Sequence, residues 1–154
     1  MTDDTVDLVA HARSLLGNNR YLTLGTINDD GRPWTTPVYF AAGGERDFYW
    51  VSDTEAQHSR NLAERPDVSI VVFDSSVEPF HGRAVYAAAT ARELSGEDLD
   101  RGLQIYPGSS ERGGVVFTRD RVTGPASYRL YRATASEHFL LRDDRDVRVP
   151  VSLP

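Results

Sequence analysis

The sequence predicts a mainly β fold, a six- or seven-stranded antiparallel β-barrel with peripheral helices packed outside it. Segments in which apolar and polar residues alternate, as is typical of strands, outnumber the shorter segments with helical spacing. Closing these strands into a barrel also removes the exposed edges that an open sheet would leave. The 154 residues match the size of one ordinary domain, so we expect a single domain over 1–154.

The first half of the chain mixes helix and strand signals. The predicted elements are a helix within 1–17, strands over 21–27, 32–40 and 47–52, and a helix over 53–64. The first two strands are joined at a hairpin signal that ends in Gly31, and Pro33 and Pro37 indicate that the second is an edge strand or a distorted one. A capping box that begins at Ser52 or Thr54 would start the second helix.

The second half is richer in strands. We expect strands over 68–73 and 82–94, a helix from Ser95 to about 105, a loop over 107–114, a short helical turn near 118–122, one or two strands over 128–141 and a tail over 143–154. The strand over 68–73 is almost continuously apolar, which is typical of a buried strand.

Composition excludes several kinds of site. The chain has no cysteine, which removes disulfides, thiolate nucleophiles and cysteine-ligated metals, and its 17 basic residues are all arginine. Without lysine, neither a pyridoxal phosphate Schiff base nor the usual phosphate-loop nucleotide site can form. The net charge of −6 disfavours nonspecific nucleic-acid binding, and the spacing of the four histidines disfavours a metal site. With no apolar run long enough to cross a membrane and an acidic start, we expect a cytoplasmic protein without membrane partners.

The helix after the third strand carries the strongest binding signal. Its N-terminus would offer unpaired backbone N–H groups and a positive dipole end, both of which suit a phosphate. Ser52, Thr54 and Ser59 can add hydroxyl donors there, and His58 and Arg60 can add charge or directed hydrogen bonds. The alternative is a capped surface helix with a solvated polar face.

Two other segments are weaker candidates. Residues 34–40 combine aromatic side chains with two threonines and could present a flat surface to a planar ring, or simply form barrel core or a dimer interface. In the segment 127–132, alternation places Arg129 and Arg132 on opposite faces, where either could meet an anion or pair with a nearby aspartate. No arrangement of nucleophile and base stands out, so no catalytic residue is assigned and a bound cofactor would carry the chemistry.

Three stretches together resemble a known family. The first stretch comprises Leu24-Gly25-Thr26, Asp30-Gly31-Arg32-Pro33 and Pro37-Val38-Tyr39-Phe40. The second comprises Val51-Ser52, His58-Ser59-Arg60-Asn61-Leu62 and Arg65-Pro66-Asp67-Val68. The third is Ala91-Arg92-Glu93-Leu94-Ser95. Their order and spacing resemble the pyridoxamine 5′-phosphate oxidase-like, FMN-binding split-barrel family over roughly residues 8 to 142.

The resemblance implies a split β-barrel of the FMN-binding type that forms a homodimer with the flavin at its interface. The resemblance places Ser52 and His58 at the phosphate, with Gln57 and Arg60 as neighbours, and Val51 belongs to the same motif as Ser52. It places Thr35, Thr36 and Pro37 along the isoalloxazine ring. The partner subunit would contribute from around Arg83, His138 and Phe139. Because the family often has lysine or arginine where this chain has Gln57 and His58, we expect weaker or pH-dependent phosphate binding.

The leading hypothesis is an FMN-dependent oxidoreductase that transfers hydride between the flavin and a small organic substrate or a nicotinamide. One alternative in the same fold is a deazaflavin-dependent reductase. Another is a non-catalytic flavin- or haem-binding protein, for which His11, His81 and His138 are the histidines to consider. The last is a structural dimer with an empty groove.

Overall fold

The computed structural model describes residues 3–80, 83–142 and 146–154, with side chains from Asp7 onward. Its helices are α1 (Asp3–Asn18), α2 (Gln57–Glu64) and α3 (Gly96–Ile105), with short 3₁₀ turns at Ser110–Arg112 and Arg119–Val122. Its strands are β1 (Tyr21–Ile27), β2 (Pro33–Tyr39), β3 (Ala41–Gly43), β4 (Asp47–Asp53), β5 (Asp67–Phe73), β6 (Ala84–Glu93), β7 (Tyr128–Leu141) and β8 (Arg148–Val151). Within these ranges no helix combines the length and apolar character needed to span a bilayer.

The strands form one antiparallel sheet in the order β2-β1-β5-β6-β7-β4-β3, and β8 pairs with the far end of β7. The sheet curls, because β2 at one edge comes into contact with β4 near the other. This half-closed sheet with helices outside it confirms the mainly β prediction and the split-barrel expectation. Eight strands are present in the described ranges, against six or seven predicted, since β3 and β8 are short additions.

Strand β2 shows how the sequence sets the edge of the sheet. It pairs with β1 along its whole length, and in the described ranges its opposite side carries no further strand. Pro33 and Pro37 lack the N–H that a second partner strand would need, so both fit an edge strand. The predicted edge position is confirmed.

The long strand β7 pairs with two different strands on the side away from β6. Its first half pairs with β4 and its last four residues pair with β8. Between these parts the register with β6 shifts opposite Ala88 and Ala89, where Ser136 is the extra residue of a bulge. A bulge bends a strand and increases its twist, which allows one strand to follow the curl of the barrel.

Two hydrophobic clusters hold the sheet and helices together. The larger one fills the inside of the curl, with Leu24 and Trp50 almost fully buried beneath Leu16 of α1. The smaller one lies under α3, where a Cβ on Gly102 would come within 2.8 Å of Leu130 Cδ2. Only glycine lets α3 approach β7 this closely at that position.

Two element predictions differ from the structure. The second helix starts at residue 57 instead of 53. The segment 128–141 is one strand, which is one of the two alternatives predicted. Part of the predicted tail over 143–154 forms β8, paired through Val149 and Val151 with Leu140 and His138. A four-residue strand that contains Pro150 shows little alternation of its own, and its pairing with β7 decides its conformation.

Candidate functional site

The N-terminus of α2 is open to an anion. Ala56 occupies the cap position and has no side-chain oxygen, and the first turn contains no acidic residue. The predicted capping boxes from Ser52 and Thr54 are wrong, because Asp53 Oδ1 accepts a hydrogen bond from the Glu55 N–H at 2.8 Å and holds the preceding residues in a turn. The N–H groups of the first turn therefore lack both a side-chain cap and a competing carboxylate.

Ser52 and His58 meet beside this N-terminus. Ser52 lies at the end of β4 on its buried face, and its Oγ is 2.8 Å from His58 Nε2. Burial lowers the pKa of His58, which makes the imidazole neutral at pH 7. The pair thus presents a hydroxyl and a neutral ring that a phosphate can engage by hydrogen bonds, and a bound dianion would favour protonation of the ring.

A buried amide fixes α2 against the sheet. Asn61, which is 1% exposed, donates from Nδ2 to Thr26 Oγ1 at 3.0 Å and to Asn28 Oδ1 at 2.8 Å. Its Oδ1 accepts from Gln57 Nε2 at 2.8 Å, and Gln57 Oε1 accepts from Arg60 at 2.8 Å. Sequence reasoning did not single out Asn61 as a functional residue; its position in the helical repeat, four residues after Gln57, was the available signal.

The predicted ring-lining residues divide between the two faces of β2. Thr36 alternates with the buried Val38 and lies half-buried on the inner face, whereas Thr35 and Pro37 are exposed on the outer face. Val51 also faces away from Ser52, since it packs against the cluster under α3. Of the predicted residues in β2 and β4 named above, only Thr36 lies on the same inner face of the curled sheet as Ser52.

The outer face carries a shallow cavity of about 200 Å³. Thr35 and Phe139 line it together with Ser69 and Gly25. A Cβ on Gly25 would overlap the Ser69 hydroxyl, so the missing side chain keeps this surface open. Thr35 and Phe139 of one protomer therefore lie together, whereas the resemblance implies that Phe139 acts in the cofactor site of the partner subunit.

Arg83 and His138 contact residues outside the α2 region. Arg83 NH1 is 2.8 Å from His11 Nδ1, and both line a cavity against α1. His138 is buried, and its Nε2 lies 2.8 Å from the Glu45 carbonyl oxygen. Burial lowers the pKa of His138, so the neutral ring donates this hydrogen bond. The third histidine considered for haem, His81, lies outside the described residues.

A sequence model of the family described as pyridoxamine 5′-phosphate oxidase matches residues 8–141 of the chain. The chain belongs to this family. The curated pyridoxine/pyridoxamine 5′-phosphate oxidase of Burkholderia lata is 29% identical over 105 residues, which cover 64% of this chain and 47% of that protein. The matched region thus spans about half the length of the curated relative.

Solved structures give the same fold for this member of the pyridoxamine 5′-phosphate oxidase family. A haem-binding protein from Mycobacterium smegmatis superposes with a TM-score of 0.73 at 17% identity, over 94% of this chain and 57% of that one. An F420 reductase superposes with a TM-score of 0.57 at 21% identity, over 82% of this chain and 94% of that one. At these identities the likeness concerns the fold.

Proposed function

We propose that this chain is an FMN-binding oxidoreductase that works as a homodimer. The observation that carries the proposal is the uncapped N-terminus of α2 beside the Ser52–His58 pair. Backbone N–H groups, a hydroxyl and an imidazole there form a donor set that fits a phosphate ester. Membership of the pyridoxamine 5′-phosphate oxidase family supports a flavin as the phosphate-bearing group.

The residues around α2 would bind and orient the cofactor. Ser52 and His58 would hold its phosphate, and the Asn61 hydrogen bonds would keep the first turn of α2 in place. Thr36 stands on the inner face of β2, the strand that contacts both α2 and β4, where a ring could lie along the edge strand. When bound, FMN supplies hydride transfer with a small organic substrate or a nicotinamide.

A second copy would pack against the outer face of the sheet and bring its own residues to the cofactor site. On this face Val71, Tyr86 and Phe139 are aligned by the strand register, and Phe73 of the same face is 49% exposed. An apolar strip across several strands is a surface that association would cover. In the dimer, Phe139 and Arg83 of one protomer would contribute to the cofactor site of the other.

Ser52→Ala and His58→Ala test the phosphate assignment. Each removes one hydrogen bond to a charged group, so we expect the FMN dissociation constant to rise about tenfold in each variant. Ser14→Ala, an exposed serine of α1, is the matched control and should bind as the unaltered chain does. Unchanged FMN affinity in both site variants would overturn the assignment, and retention of F420 in place of FMN would favour the deazaflavin alternative.

A further inference from the structure

A third cavity lies behind α2 and is bounded by β6 and β7. Its volume is about 340 Å³. Ser59, Arg60 and Ala63 line it from the helix, and Ala91 and Tyr131 line it from the sheet. It has both an apolar wall and several polar groups, which is typical of a site for a small organic ligand.

This cavity opens on the face of α2 that is turned away from Gln57 and Asn61, although one of its lining residues, Arg60, is hydrogen-bonded to Gln57. Successive residues of a helix are about 100° apart around its axis, so Ser59 and Ala63 lie opposite Gln57 and Asn61. Gln57 and Asn61 are engaged with each other and with β1. A ligand in the cavity would therefore contact the other face of the helix.

The Ser59 hydroxyl is the clearest sign of a missing ligand. The residue is 3% exposed, and its Oγ has no hydrogen-bond partner in the part of the chain that the structure describes. Burial raises the pKa of Tyr131, and the neighbouring Ser59 hydroxyl opposes that rise, so the two side chains are close although their geometry is outside the limits of a hydrogen bond. A buried hydroxyl without a partner costs free energy that an acceptor on a ligand would recover.

Charge at the cavity favours an anion. Arg60 forms no ion pair within the described ranges, and its guanidinium is hydrogen-bonded to the neutral Gln57. Of the other charged lining groups, Arg92 is paired with Asp98 at 2.5 Å, and Glu93 lies 3.9 Å from Arg129. Arg60 is therefore the cation left to meet a ligand, and arginine matches the geometry of a carboxylate.

We infer that the cavity binds a small organic monocarboxylate with an apolar body. The carboxylate would meet Arg60 and accept a hydrogen bond from Ser59, while the apolar body would pack on Ala63 and Ala91. This site is distinct from the Ser52–His58 pair, but it uses Arg60, which the resemblance to the family places beside the flavin phosphate.

Benzoate is the probe for this site, titrated into the ¹⁵N-labelled full chain and followed by NMR. We expect saturable shifts at Ser59, Arg60 and Ala63, with a dissociation constant in the millimolar range, and weaker binding of the neutral benzamide. Ser59→Ala should weaken benzoate binding about tenfold without lowering the melting temperature, because the hydroxyl has no partner to lose.

Ala63→Leu and Glu64→Leu form a matched pair of exposed positions on α2, of which only Ala63 lines the cavity. The first variant should abolish benzoate binding by filling the cavity, and the second should retain it. Absence of saturable shifts in the unaltered chain, equal binding of benzamide, or equal effects of the two leucine variants would each overturn the proposal.

Discussion

At the scale of single residues, His58 links the proposed phosphate site to pH. Burial lowers its pKa in the free protein, and a bound phosphate dianion would raise that pKa again. Binding then takes up a proton, so FMN affinity should increase as the pH falls from about 8.5 to about 7, a range in which the phosphate, with a second pKa of about 6, stays mostly dianionic. A fluorescence titration of FMN at each pH measures this slope.

Two controls separate His58 from other titrating groups. His58→Gln keeps a hydrogen-bonding side chain without an ionisable ring and should flatten the slope. Riboflavin lacks the phosphate and should bind the unaltered chain with little dependence on pH in this range. The same slope in His58→Gln as in the unaltered chain would show that another group takes up the proton.

The sequence is sufficient to predict Ser52 and His58 as site residues, but it does not predict the geometry in which they meet. A strand that ends in a hydroxyl and leads into a helix is a local pattern, and six residues separate the two positions. The cap at Ala56 could not be predicted in this way, because Asp53 accepts a hydrogen bond from the Glu55 N–H and the helix begins only at Gln57. Ser, Asp and Asn side chains compete for nearby backbone N–H groups, and tertiary packing decides which group wins.

At the scale of elements, Asn61 connects α2 to β1. Its amide is buried and hydrogen-bonded to Thr26, Asn28 and Gln57. Asn61→Ala would leave these groups without their partner, so we expect a loss of about 1–3 kcal/mol in the free energy of unfolding, measured by urea denaturation. Asn18→Ala, an exposed asparagine of α1, should change it far less; equal losses in both variants would contradict the role of Asn61.

Element type was predicted where the local pattern is strong. The alternating residues of β1 and the two prolines of β2 fix a strand and an edge without knowledge of the neighbours. The strand β8 has no such pattern, and its backbone is ordered by pairing with the last four residues of β7. The division of Thr35 and Thr36 between two faces follows from alternation, but which face is buried depends on the curl of the whole sheet.

At the scale of the whole molecule, the outer face of the sheet is the proposed dimer interface. Pro37, Thr23, Val71, Tyr86, Phe139 and Pro150 are aligned by register across six strands. Arg148 covers part of this row, with its guanidinium carbon 3.8 Å from the centre of the Tyr86 ring. A largely apolar row that crosses six strands forms a continuous surface patch, whereas the apolar residues on an ordinary protein surface are scattered singly.

Phe73→Asp tests this interface. Phe73 is 49% exposed on the outer face, so a charge there should disrupt association without disturbing the core. Val116→Asp, at a loop residue that is 68% exposed, is the control. By light scattering after size exclusion, we expect dimers of the 17.1 kDa chain for the unaltered protein and the control, and monomers for Phe73→Asp. A monomeric unaltered protein would contradict the proposed dimer.

Flavin binding is tested most directly by the visible absorption spectrum of the purified protein after incubation with FMN and removal of the free flavin. We expect a retained flavin band equimolar with the chain, because the open N-terminus of α2 and the Ser52–His58 pair would together hold the phosphate. A protein that remains colourless after this treatment would contradict the proposed function.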